Sequence, residues 1–107
     1  MKLGWEIIVQ DIAPSLRAVI ARELIENYGL TQMEAAKLMG ISQPAISQYL
    51  RRIRGKNEKI FSDGEITNEV KRIAALIYDK KNRDEINNEF INLCRQVAKK
   101  NFNVTLF

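Results

Sequence analysis

The stretch QPAISQ at residues 43–48 gathers side chains suited to reading a polar edge. Gln43 and Gln48 each present an amide donor and an amide acceptor, the pair of functions that can make two hydrogen bonds to adenine N6 and N7. Pro44 and Ala45 offer small apolar surface of the kind that meets a thymine methyl, and Ser47 can donate or accept. Directly downstream stand Arg51, Arg52, Arg54 and Lys56, cations suited to phosphate oxygens. The same residues could be a plain solvated helix face, since Gln and Ser are common there and cations are favoured at a helix C-terminus.

The distribution of charge bears on that choice. The formal net charge is +4, and residues 1–50 carry four basic and five acidic side chains, whereas residues 60–107 carry eight and seven. Residues 51–59 hold five basic and one acidic, so essentially all of the excess follows QPAISQ directly. That position favours a phosphate-contacting role, with Lys59 the weakest candidate.

Five helical segments can be read as the elements that must position these groups. The first, over residues 12–28, sets Leu16, Val19, Ile20 and Leu24 on one face, with Pro14 tolerable in its first turn and Gly29 as its stop. The second opens on Thr31 and Glu34 at capping-box spacing and ends at Gly40. A third has Ser42 as N-cap and a stripe of Ile46, Tyr49, Leu50 and Ile53 at helical steps. Ser62 and Glu65 repeat the capping-box spacing before Ile66, Val70, Ile73 and Ile77. Asn82 or Asp84 then caps a fifth helix carrying Ile86, Phe90, Leu93 and Val97. These last two seams suit a helical hairpin or an inter-subunit bundle. The ends, residues 5–9 and 101–107, are apolar and partly β-branched; they could pair as short terminal β-strands or pack as coil on the helices.

The middle of the chain meets the steric demands of two helices crossing at a tight turn. Counting from Gln32, the fifth place, where the helices touch, is the small Ala36. The ninth, which must turn left-handed, is Gly40. Met39, Ile41, Ile46 and Tyr49 supply the apolar lock at the eighth, tenth, fifteenth and eighteenth places.

Gln32, the Ala pair at 35–36, Gly40, Ser42-Gln43 and ISQYL at 46–50 resemble the Cro/repressor-type (XRE-like) helix-turn-helix transcriptional regulators over residues 12–56. Residues 14–55 look most like small archaeal members of that type. The resemblance implies that the second helix of the motif lies in the major groove of double-stranded DNA. It further implies that Gln32 touches phosphate and braces that helix, and that Ser42 lies at the DNA backbone. Some members add a ligand-binding domain and often a Cys pair; this chain is too short for the former and has only Cys94 for the latter, so the resemblance carries over neither effector binding nor metal or redox sensing.

The same composition argues against other classes. Without a second Cys there is no intramolecular disulfide, and without His there is no partner for Cys94 in a zinc site and no commonest general base. No Gly-rich phosphate loop and no supported carboxylate pair is present, so neither catalysis nor a cofactor is expected. No run approaches the roughly 18 apolar residues of a membrane span, and the early charges of MKLGWEIIVQD leave no signal-peptide core. A cytoplasmic protein is expected. Trp5, Phe61, Phe90 and Phe102 are too scattered for a single-strand stacking platform and read as core or interface residues. The expectation is an all-α chain of about five helices: a helix-turn-helix part at residues 1–59 and a dimerising helical hairpin at residues 60–107. It would act as a homodimeric, sequence-specific regulator on a two-fold symmetric site, a repressor in the simplest case. A protein-interaction adaptor and a non-specific nucleoid-type DNA binder are the alternatives.

Overall fold

Pro14 sits well inside a helix and not at its start. The computed structural model describes residues 3–53 and 63–102, with residues 53, 101 and 102 described by backbone alone. Helix α1 is built of three consecutive pieces, a turn at Gly4–Ile7, a π-helical turn at Ile8–Ile12 and an α-helix at Ala13–Tyr28. The backbone at Ile7, Ile8, Ile12 and Ala13 is right-handed helical throughout, so the three pieces form one rod. Ahead of α2 (Gln32–Met39) the rod ends at Gly29; α3 (Gln43–Ile53), α4 (Gly64–Tyr78) and α5 (Arg83–Phe102) complete an all-α fold.

Residues 5–9, open on sequence to a short β-strand or to coil, are helix instead. The reason lies downstream: Ile8, Ile12 and Leu16 stand at successive steps of four and extend the buried face of α1 upstream, with Ile12 and Leu16 buried and Ile8 packed against the core. Packing on that face outweighs a modest β-propensity. Pro14 has no N–H to give the carbonyl four residues back, and the helix passes it through a π-turn in which Ala13 N–H donates to Ile8 O. Residues 101 and 102 continue α5, so no strand starts there either; residues 103–107 lie outside the described residues.

Helix α1 is the central support, packing against α2, α3 and α4, while its π-turn meets α5. Leu16, Val19, Ile20 and Leu24 are all buried, as their spacing indicates. Ile66, Val70, Ile73 and Ile77 of α4 and Leu93 and Val97 of α5 join the same core, with Ile86 and Phe90 packed at its edge. The two seams are thus internal. Among the described residues no buried side-chain nitrogen or oxygen lacks a partner, which fits a core with one defined arrangement.

The hairpin ends are fixed by caps and ion pairs. Asp63, one residue later than the expected Ser62, caps α4 by accepting from the Glu65 and Ile66 N–H groups at 2.9 and 3.4 Å; Ser62 itself lies outside the described residues. Of the two residues expected to cap α5, Asn82 does so, accepting from Asp84 and Glu85 N–H groups at 2.8 and 3.2 Å. Lys100 reaches Asp63 at 2.8 Å and Glu65 at 3.1 Å, and Arg72 bridges Glu69 and Glu89 across the hairpin. The Lys100 ammonium, with the cap N–H groups, holds the Asp63 carboxyl below its ordinary range, and Arg72 does the same for Glu89.

Candidate nucleic-acid interface

The geometry of the α2–α3 pair begins at its turn. Thr31 Oγ1 accepts from Glu34 N–H at 3.0 Å while Glu34 Oε1 accepts from Thr31 N–H at 2.9 Å, closing the expected capping box. At the other end Gly40 takes φ 71° and ψ 29°, and Ile41 N–H returns to Ala36 O at 3.0 Å. That left-handed residue ends α2 and redirects the chain within two residues. Ser42 Oγ accepts from Ala45 N–H at 3.2 Å and starts α3. Buried Ala35 and Ala36 let the helices approach, and Ile46, fully buried, anchors α3 on α1 with Tyr49 and Leu50 packed beside it.

With that row inward, the opposite rows of α3 face solvent. Pro44, Gln48 and Arg51 follow at i, i+4 and i+7 and are all exposed, as is Gln43. Ala45 and Ser47 are half-buried, so they present less surface than the other three base-reading candidates. Gln43 Nε2 donates to Gln32 Oε1 at 3.2 Å, which ties the start of α3 to the start of α2 and orients the Gln43 amide. The Ser42 hydroxyl, used as an acceptor in the cap, retains its proton for donation.

Of the basic group, Arg51 and Arg52 are exposed in the last turn of α3, whereas Arg54, Lys56 and Lys59 lie outside the described residues. Arg52 has a partner no sequence spacing reveals: its Nη2 donates to Gln10 O at 3.3 Å. Gln10 O is the very carbonyl that Pro14 cannot serve, four residues on. The position of an underused acceptor was readable from Pro14, but its occupant was not. A second unanticipated neighbour is Arg83, whose Nη1 lies 3.4 Å from where a Cβ on Gly40 would stand.

No helix among the described residues is long and apolar enough to cross a membrane. The chain has no match among curated proteins or among solved structures. Residues 10–105 match the family model described as the ParB HTH domain, a span running from the π-turn of α1 through the whole of α5. A supporting helix, a capped first motif helix, a left-handed turn and a braced second helix with an outward polar face are thus matched as one unit with the hairpin behind them, and the chain belongs to the ParB HTH domain family of helix-turn-helix DNA-binding domains.

Proposed function

We propose that this chain is a sequence-specific, double-stranded DNA-binding transcriptional regulator of the cytoplasm, a homodimeric repressor akin to the small archaeal Cro/repressor-type proteins its motif resembles. Helix α3 enters the major groove, where Gln43 and Gln48 read base edges and Pro44, Ala45 and Ser47 fill contacts between them. Gln32, Ser42, Arg51, Arg52, Arg54 and Lys56 fix the register on the phosphates. The protein catalyses nothing; it represses by occupying the promoter.

One observation carries this reading: the exposed Pro44, Gln48 and Arg51 row, with Gln43 beside it held by Gln32. The Gln43 amide, pre-set in this way, loses little side-chain freedom on binding. The second copy docks through the start of α1 and the adjacent part of α5, where Leu3, Trp5 and Val9 are each 57% exposed and Ile91 46%.

Selection of duplexes from a random pool, followed by footprinting, tests the proposal. It should return a two-fold symmetric site with half-site centres about 34 Å, or a multiple of that, apart. Even protection of all duplexes would instead indicate nucleoid-type binding. Failure to retain duplex DNA at physiological salt would leave the adaptor reading.

A further inference from the structure

A second surface of the molecule has a composition that DNA reading does not use. Between α2, the C-terminal end of α4 and the start of α5 lies an open groove of about 970 Å³, at the upper end of the size typical of small-ligand sites. Among the described residues, Arg17, Lys37, Lys80, Lys81 and Arg83 line it against one carboxylate, Glu34, which already accepts from Thr31 N–H. None of the five cations is ion-paired within the described residues, although the same hairpin neutralises Arg72 and Lys100.

Lys80 and Lys81 follow the C-terminus of α4, where its dipole favours cations. Arg83 is different. It is the first residue of α5, the end at which the dipole disfavours a positive charge, and its guanidinium turns toward Gly40. Between the charges the wall is apolar: Ile41, Ile86 and Phe90 are half-buried lining residues, and the Arg17 guanidinium lies 5.1 Å from the centre of the Phe90 ring.

We propose that this groove binds a small amphipathic anion, a carboxylate or phosphate ester carried on an apolar chain or ring. The anionic head is held by Lys37, Lys81 and Arg83, and the apolar body lies on Ile41, Ile86 and Phe90. A bare anion leaves the apolar wall wet, and a neutral hydrocarbon leaves the cations uncompensated; the two halves of the groove together select an amphiphile. Among the described residues, the groove lining includes none of the side chains proposed to meet DNA. Glu34, Lys37 and Leu38 occupy the i, i+3 and i+4 face of α2, with Ile41 joining the lining from beyond the Gly40 turn, whereas Gln32 is the α2 residue that bonds α3 through Gln43.

Calorimetric titration of the whole chain with decanoate and with decyl phosphate, each below its critical micelle concentration, tests this without DNA and so stands apart from the DNA-binding reading. One site per chain is expected for at least one head group, and which of the two binds tells the carboxylate from the phosphate. Arg83→Gln and Lys37→Gln, both at exposed positions, should each weaken binding about tenfold, the loss of one charge-assisted hydrogen bond, with unchanged far-UV circular dichroism. In the wild-type chain the amide resonances of Gly40, Ile86 and Phe90 should shift on titration. Equal binding of decyltrimethylammonium would overturn the proposal, as would inorganic phosphate binding as tightly as decyl phosphate. Resonance shifts spread evenly over the surface, or no binding of either anion, would do the same.

Discussion

At the scale of single residues, Gln43 and Gln48 differ in a way their shared chemistry hides. Gln43 is held by Gln32 at 3.2 Å, while Gln48 stands exposed one turn on. Either Gln→Ala change should cost about 1–3 kcal/mol at one base position and little on random duplexes, measured by competition with single-base operator variants. Gln32→Ala should weaken discrimination at the Gln43 position only, because it frees that amide to rotate. Equal losses on specific and random DNA would move both glutamines to the backbone. Cys94 is a different case: it is buried, and burial pushes its thiol from the ordinary 9.0 up to about 11. The native chain at pH 8 should therefore resist a thiol reagent that labels it at once in denaturant. Since the folded value is raised, its contribution to stability is complete below pH 9.0 and is lost as pH climbs toward about 11. A Cys94→Ala variant, whatever its baseline stability, should show less alkaline loss over that window in denaturant titrations.

The elements make predictions of their own at the end of α3 and at its turn. Arg51 and Arg52 are neighbours of like charge, yet only Arg52 donates to Gln10 O. Arg51→Gln should lower the magnitude of the log K against log[salt] slope by about 0.9 for a true phosphate contact and leave thermal stability unchanged. Arg52→Gln should also cost up to about 1 kcal/mol of stability, the worth of one hydrogen bond. A salt slope unaltered by both variants would make the pair a solvated helix end. Gly40 at φ 71° admits a Cβ only with backbone strain, so Gly40→Ala should destabilise the fold by about 1–2 kcal/mol in chemical denaturation. No loss there would mean that the turn relaxes to another conformation.

For the molecule as a whole, the position of the hairpin seams governs how assembly can be tested. Val70 and Leu93 are buried in the core shared with α1, so an aspartate at either place is an unpaired charge in an apolar interior. Val70→Asp and Leu93→Asp should abolish the cooperative fold, seen by far-UV circular dichroism. Trp5→Asp and Val9→Asp alter exposed positions and should leave a folded monomer by sedimentation, with operator affinity sharply reduced. The described molecule measures 37 × 29 × 24 Å, so two copies side by side can set their α3 helices about one turn of DNA apart. A folded dimer persisting in the Trp5→Asp and Val9→Asp chains would place the interface elsewhere.

The sequence by itself determined what depends on short spacing. The capping box at Thr31, the N-cap at Ser42, the left-handed Gly40, the buried row from Leu16 to Leu24 and the outward polar row of α3 each follow from residues within about two turns of one another. Local reading failed where distant groups compete. The β-branched side chains of residues 5–9 by themselves favour an extended end; the core contacts of Ile7 and Ile8 make the segment helical. Capping-box spacing points to Ser62, whereas Asp63 is the residue that caps α4, its carboxylate also meeting Lys100. Apolar seams at steps of three and four are identical whether they face a partner or their own chain, and only packing on α1 made them internal. The Arg52 bond to Gln10 O and the approach of Arg83 to Gly40 join residues more than forty positions apart. Such contacts leave no local periodicity, since the folded path of the chain alone brings their atoms together.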